Sequence, residues 1–119
     1  MTRILRIDAS ARTVRSLSRK LGDRFIADWS ALNGPADVTL RDVGKTPPPI
    51  ISDDWIAAVF SQEMTPEQQA LTRISDEFIA ELAEAEMIVI TTPMYNYGMP
   101  AALKAWFDQV VRINKTFTF

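Results

Sequence analysis

The chain has 119 residues, 47% hydrophobic and 24% charged, with a formal net charge of −2 and neither cysteine nor histidine. That length suits one domain with its own core and excludes two. The residue set rules out a disulfide framework, thiolate chemistry, most zinc sites and every Ser-His or Cys-His nucleophile; without a basic tract, nucleic acid and anionic membrane are poor partners.

The opening residues MTRILRIDAS hold too short an apolar stretch for a signal peptide, and no run reaches the roughly 18 residues of a membrane span. The expectation is a soluble cytoplasmic protein. Arg3 to Ile7 reads as a short strand, and Asp8 to Arg15 as the loop that follows. Ser16-Leu17-Ser18 opens a helix whose apolar residues, Leu17, Leu21, Phe25, Trp29 and Leu32 with Ile26 beside them, recur at spacings of three and four. Asn33-Gly34-Pro35 ends it, with Asn or Gly suited to a left-handed cap. Asp37 to Val43 alternates apolar and polar, which fits a strand at a sheet edge.

The stretch from Gly44 to Met64 is the longest irregular one. Pro47-Pro48-Pro49 is stiff and extended. Ser52 can cap a short helix from Asp53 to about Phe60. Three prolines and several apolar residues favour an ordered loop that covers something. Thr65-Pro66-Glu67-Gln68 is a strong helix start: Thr65 caps, Pro66 takes the first helical position and Gln68 completes a capping box. Leu71, Ile74, Phe78 and Leu82 share a face of that helix.

Met87-Ile88-Val89-Ile90 is a β-branched apolar run, the signature of a parallel strand buried on both faces. Pro93 ends it, because proline cannot donate to a sheet ladder. A polar-aromatic loop, Met94-Tyr95-Asn96-Tyr97-Gly98, leads to a last helix from about Pro100, with Leu103, Trp106, Phe107, Val110 and Val111 facing inward. Strands alternating with helices imply a parallel α/β sheet with right-handed crossovers.

Two loops offer chemistry. The first carries Ser10, Thr13, Ser16 and Ser18 between a strand end and a helix start, where backbone N–H groups and the helix dipole favour an anion. Plain capping by Ser16, with solvated hydroxyls around it, accounts for the same pattern. Arg12 and Arg15 read as solvated loop residues. No Walker pattern or GxGxxG occurs, which disfavours an NTPase or a Rossmann dinucleotide site. The second loop, with Asn96 between two tyrosines beside Gly98, is more polar than a strand-to-helix turn requires.

Pro93-Met94-Tyr95-Asn96-Tyr97, followed by Pro100-Ala101-Ala102-Leu103-Lys104-Ala105-Trp106-Phe107-Asp108, resembles the flavin-contacting segment of FMN-dependent NADH-azoreductases and NAD(P)H:quinone reductases. The resemblance runs through the whole chain but covers little over half of a usual family member. It implies a flavodoxin-like three-layer α-β-α domain over residues 1–119, with strands ordered 2-1-3 and Ile88 to Ile90 at an edge. It implies that Ser10, Ser16, Leu17 and Ser18 hold the FMN phosphate, and that Met94, Tyr95, Asn96 and Tyr97 lie against the flavin ring. Phe60, Phe117 and Phe119 would wall a substrate pocket, partly across a homodimer. The activity implied is hydride uptake from NADH and ping-pong reduction of quinones or aromatic azo compounds. The flavin does the bond making, so no catalytic side chain is named. A flavodoxin-type electron carrier and a shortened inactive relative remain as alternatives; the family's later glycine-containing flavin loop has no match here.

Overall fold

A computed structural model describes residues 1–118, so Phe119 lies outside the described residues. The elements are β1 (Thr2–Asp8), α1 (Leu17–Asn33), β2 (Ala36–Asp42), α2 (Asp53–Val59), α3 (Pro66–Glu84), β3 (Met87–Thr91) and α4 (Ala101–Val110). The three strands are parallel and ordered β2-β1-β3, as the alternation and the resemblance imply. Ile4 stands opposite Val38 and Met87, and Ile7 opposite Arg41 and Ile90.

Side chains alternate along a strand, so β1 has two unlike faces. Leu5, Ile7 and Ala9 pack with Val43, Phe78 of α3, and Leu103, Trp106 and Val110 of α4 into one buried apolar cluster. Each Leu, Ile, Val or Phe side chain among them is worth roughly 1.5–3 kcal/mol when fully buried. The other face of β1 presents Ile4, Arg6 and Asp8 toward α1. There the contact is close: a Cβ on Gly22 would come within 2.5 Å of Thr91 Cγ2 and 2.7 Å of Arg6 Nη2.

Local signals set the helix ends. Ser16, Ser52 and Thr65 each accept a hydrogen bond from the third helical residue, and Thr65–Gln68 forms the full reciprocal box. Gly34 (φ 89°) ends α1 in the left-handed region that glycine favours. Among the described residues, no helix is long and apolar enough to cross a membrane.

Three burial expectations fail. The α1 stripe is not core: Leu17 is 72% exposed, Leu32 is 86% exposed, and Leu21 and Phe25 are also exposed. The sheet beneath α1 offers Arg6 and Asp8, so the helix turns Gly22 and Arg19 inward instead, while Asp23 reaches Arg6 from an exposed position. The β3 strand is not buried on both faces: Ile88 is 47% and Ile90 38% exposed at the sheet edge that the strand order implies, and Thr91 at its end is buried. Val111 follows the last turn of α4 and points to solvent, while Leu103, Trp106 and Val110 are buried as the spacing predicts.

Candidate functional site

The loop after β1 folds back on the start of α1. Ser10 is buried, and its Oγ accepts the Arg12 N–H at 3.1 Å. Gly44, in the turn after β2, lies against this backbone: its N–H donates to Asp8 O at 3.1 Å, and a Cβ there would sit 1.9 Å from Ser10 O. Only glycine allows that approach. Ser16 caps α1, accepting the Arg19 N–H at 3.2 Å, and its Oγ is 3.3 Å from Ser18 Oγ. The Leu17 and Ser18 N–H groups occupy the first two helical positions, where no intrahelical acceptor exists. Neither N–H has a hydrogen-bond partner among the described residues, and two such donors, two hydroxyls and the positive end of a helix dipole could together hold an anion.

The loop after β3 begins with Thr91, whose Oγ1 donates to Asp8 Oδ1 at 2.7 Å. It then makes a two-residue hairpin: Tyr95 and Gly98 exchange both backbone hydrogen bonds at 3.0 Å. Asn96 (φ 50°) and Tyr97 (φ 65°) fill the turn in the left-handed region. Asparagine tolerates that conformation; a bulky tyrosine is strained there. Tyr97 is 98% exposed.

The two loops meet. The Ala11 N–H donates to the Tyr95 hydroxyl at 3.1 Å. Between them lies a cavity of about 300 Å³, bounded by Ser10, Ser16, Leu17 and Ser18 on one wall and by Thr92, Pro93 and Tyr95 on the other. Five of the expected residues, Ser10, Ser16, Leu17, Ser18 and Tyr95, thus surround one space. Met94, Asn96 and Tyr97 project beyond its lining. Arg12 and Arg15, read from the sequence as solvated, also line it. Phe60 is exposed and, like Phe117, stands outside it. A larger cavity of about 550 Å³, among Pro49, Trp55, Leu71, Ile74 and Gln109, shares no residue with it.

Sequence reasoning missed the cluster beneath the first loop. Arg19 pairs with Asp42 through two hydrogen bonds of 2.6 and 2.8 Å and approaches Asp8 at 3.4 Å. Arg6 bonds Asp8 at 2.9 Å and Asp23 at 2.7 Å. The Arg19 guanidinium holds the Asp42 carboxyl below the usual carboxylate range, chiefly by hydrogen bonding. Asp42 raises the Arg19 pKa in turn. These charges lie far apart in sequence and look like surface residues until β1, α1 and β2 bring them together.

Residues 2–119 match the family described as having a flavodoxin-like fold. The chain is 52% identical to FMN-dependent NADH:quinone oxidoreductase 2 of Colwellia psychrerythraea, aligned over 100% of this chain and 58% of that enzyme. It is 48% identical to the enzyme of the same name from Idiomarina loihiensis, over 100% of this chain and 53% of that one. Among solved structures, the azoreductase from Bacillus anthracis str. Sterne superposes with a TM-score of 0.88 at 27% identity, covering all of this chain and 60% of the other. The chain therefore spans little over half the length of the curated relatives it matches.

Proposed function

The chain belongs to the family of proteins with a flavodoxin-like fold, and on that premise we propose that it is an FMN-dependent oxidoreductase that takes hydride from NADH and reduces quinones and aromatic azo compounds. The observation that carries this reading is the cavity between the tips of β1 and β3. In an open α/β sheet, a ligand binds outside the carboxyl ends of the strands, where the strand order reverses. With order β2-β1-β3, that point is the β1/β3 boundary. The names of the relatives support the same cofactor and substrates.

The residues fit a flavin mononucleotide. The free Leu17 and Ser18 N–H groups, with the Ser16 and Ser18 hydroxyls, suit a phosphate monoester without a lysine. Arg12 and Arg15 line the same space and supply positive charge. Pro93 and Tyr95 offer an apolar and an aromatic wall, and the Met94, Asn96 and Tyr97 segment stands next to them for the ring system. A volume of about 300 Å³ is at the lower end of small-molecule sites, which run roughly 300–1,000 Å³. When bound, the flavin supplies the redox chemistry, accepting hydride from NADH in one half-reaction and reducing the acceptor in another. The chain's own residues bind and orient: the α1 start fixes the phosphate end, and the hairpin presents Asn96 and Tyr97 at the outer end. A homodimer belongs to the same reading, supported by the apolar side chains of Ile88, Ile90 and Phe60 left open to solvent.

The test is a visible spectrum of the purified chain with added FMN, followed by NADH and menadione. Bound yellow flavin and steady NADH consumption are expected. Retained flavin without turnover selects an electron carrier, and a chain that takes up no FMN overturns the proposal. Sedimentation at micromolar concentration decides the dimer, with a mass near twice 13.4 kDa expected.

A further inference from the structure

Arg19 is the third residue of α1, and its side chain runs beneath the first loop rather than out to solvent. All five guanidinium N–H donors are used. Nε donates to Arg12 O at 2.8 Å and Nη2 to Ser10 O at 2.7 Å. The other three go to Asp42 and Asp8. Two loop carbonyls are thereby pulled to one side of the backbone. A peptide unit is planar and trans, so its N–H points opposite to its C=O. Fixing the Ser10 carbonyl therefore aims the Ala11 N–H the other way, where it meets the Tyr95 hydroxyl at 3.1 Å. Tyr95 lines the cavity between the loops and Arg19 does not.

We propose that Arg19, anchored by Asp42, is a positioning residue for the phosphate-binding loop: it draws the Ser10 and Arg12 carbonyl oxygens away from the anion cavity and ties that loop to Tyr95. The proposal rests on the FMN reading of the cavity. Two backbone dipoles otherwise free to present oxygen to the phosphate are neutralised by a cation that never touches it. The arrangement depends on the planar fork of arginine, which bridges two carbonyls and a carboxylate at once. Lysine has three donors at one point and cannot do so. Asp42 fixes the fork from behind, and Gly44 leaves room for the Ser10 carbonyl to sit there.

The experiment compares FMN with riboflavin, which lacks the phosphate, by fluorescence titration of the 119-residue chain and its Arg19→Lys and Asp42→Asn variants. Wild type is expected to prefer FMN. In Arg19→Lys, FMN affinity should fall on the order of tenfold, the scale of a charge-assisted hydrogen bond, with riboflavin affinity within about twofold of wild type. Asp42→Asn should move the same way by less. The Ala11 amide resonance of the flavin-free protein should also shift in Arg19→Lys, while helical circular dichroism is kept. Equal weakening of both flavins, or unchanged FMN affinity in a folded variant, overturns the proposal. So does loss of folding in both variants, which assigns the cluster to stability alone. A wild type that binds FMN and riboflavin equally overturns the phosphate cradle itself, and the role of Arg19 with it.

Discussion

The two faces of β1 are held by different physics. On one, Leu5 and Ile7 meet α3 and α4 through Phe78, Leu103, Trp106 and Val110, a contact that is almost wholly apolar. On the other, Arg6 and Asp8 meet α1 through a chain of ion pairs and a glycine. The apolar face supplies free energy in proportion to area, whatever the details of orientation. The charged face gains little net energy, since desolvation offsets attraction, but it fixes geometry. The candidate site lies at the end of the charged face. A binding loop needs its carbonyls and N–H groups aimed, and directional bonds do that where packing cannot.

Substitutions sharpen the contrast. The largest loss is expected on the apolar face: Trp106→Ala should cost about 3–5 kcal/mol in urea unfolding, because Trp106 is buried beside Leu103 and Phe107. Flavin preference should be unaltered in whatever fraction stays folded. On the charged face, Asp8→Ala leaves Thr91 Oγ1 and part of the Arg6 and Arg19 donor sets unmatched. It should cost about 1–3 kcal/mol; a loss below ~0.5 kcal/mol would show that the cluster rearranges freely.

Gly22→Ala puts a methyl against Thr91 Cγ2 and Arg6 Nη2, both pinned by hydrogen bonds. The gain in helix propensity, about 1 kcal/mol, should be outweighed by overpacking of about 1–3 kcal/mol. Adding Thr91→Ser removes the offending methyl, keeps the hydroxyl bond to Asp8, and should recover part of the loss.

The smallest effect is on pH. The folded pKa of Asp42 lies below its unfolded value because Arg19 hydrogen-bonds the carboxylate. Its contribution is therefore present above the unfolded pKa of about 3.9 and is lost as pH falls through the folded value. Thermal scans from pH 5 to pH 2 should show wild type losing stability more steeply than Asp42→Asn, with little difference in slope above pH 5.

Much of this is legible in the sequence. The alternation of strand and helix, and the caps at Ser16, Ser52 and Thr65, follow from local rules that tertiary contacts did not override. The gathering of Ser10, Ser16 and Ser18 around one cavity was also legible, because a strand end and a helix start flank them. The burial of α1 was not legible. Its stripe of Leu17, Leu21, Phe25 and Leu32 has the period of a core face, but period says nothing of what lies opposite. Here Arg6 and Asp8 lie opposite, and the residue that matters is Gly22. Arg19 and Asp42 were hidden for a related reason: a charge 23 positions from its partner looks solvated until the fold pairs them. Gly44 gave no sign either, since its role is set by the Ser10 backbone pressed against it. The strained turn at Asn96 and Tyr97 lacks the glycine that usually marks such a hairpin.

The cradle at the start of α1 is tested most directly by titrating FMN and riboflavin into wild type and into the Ser16→Ala, Ser18→Ala double variant. Wild type should favour FMN, and the double variant should lose most of that preference while its riboflavin affinity holds. An FMN preference unchanged by loss of both hydroxyls would contradict the account.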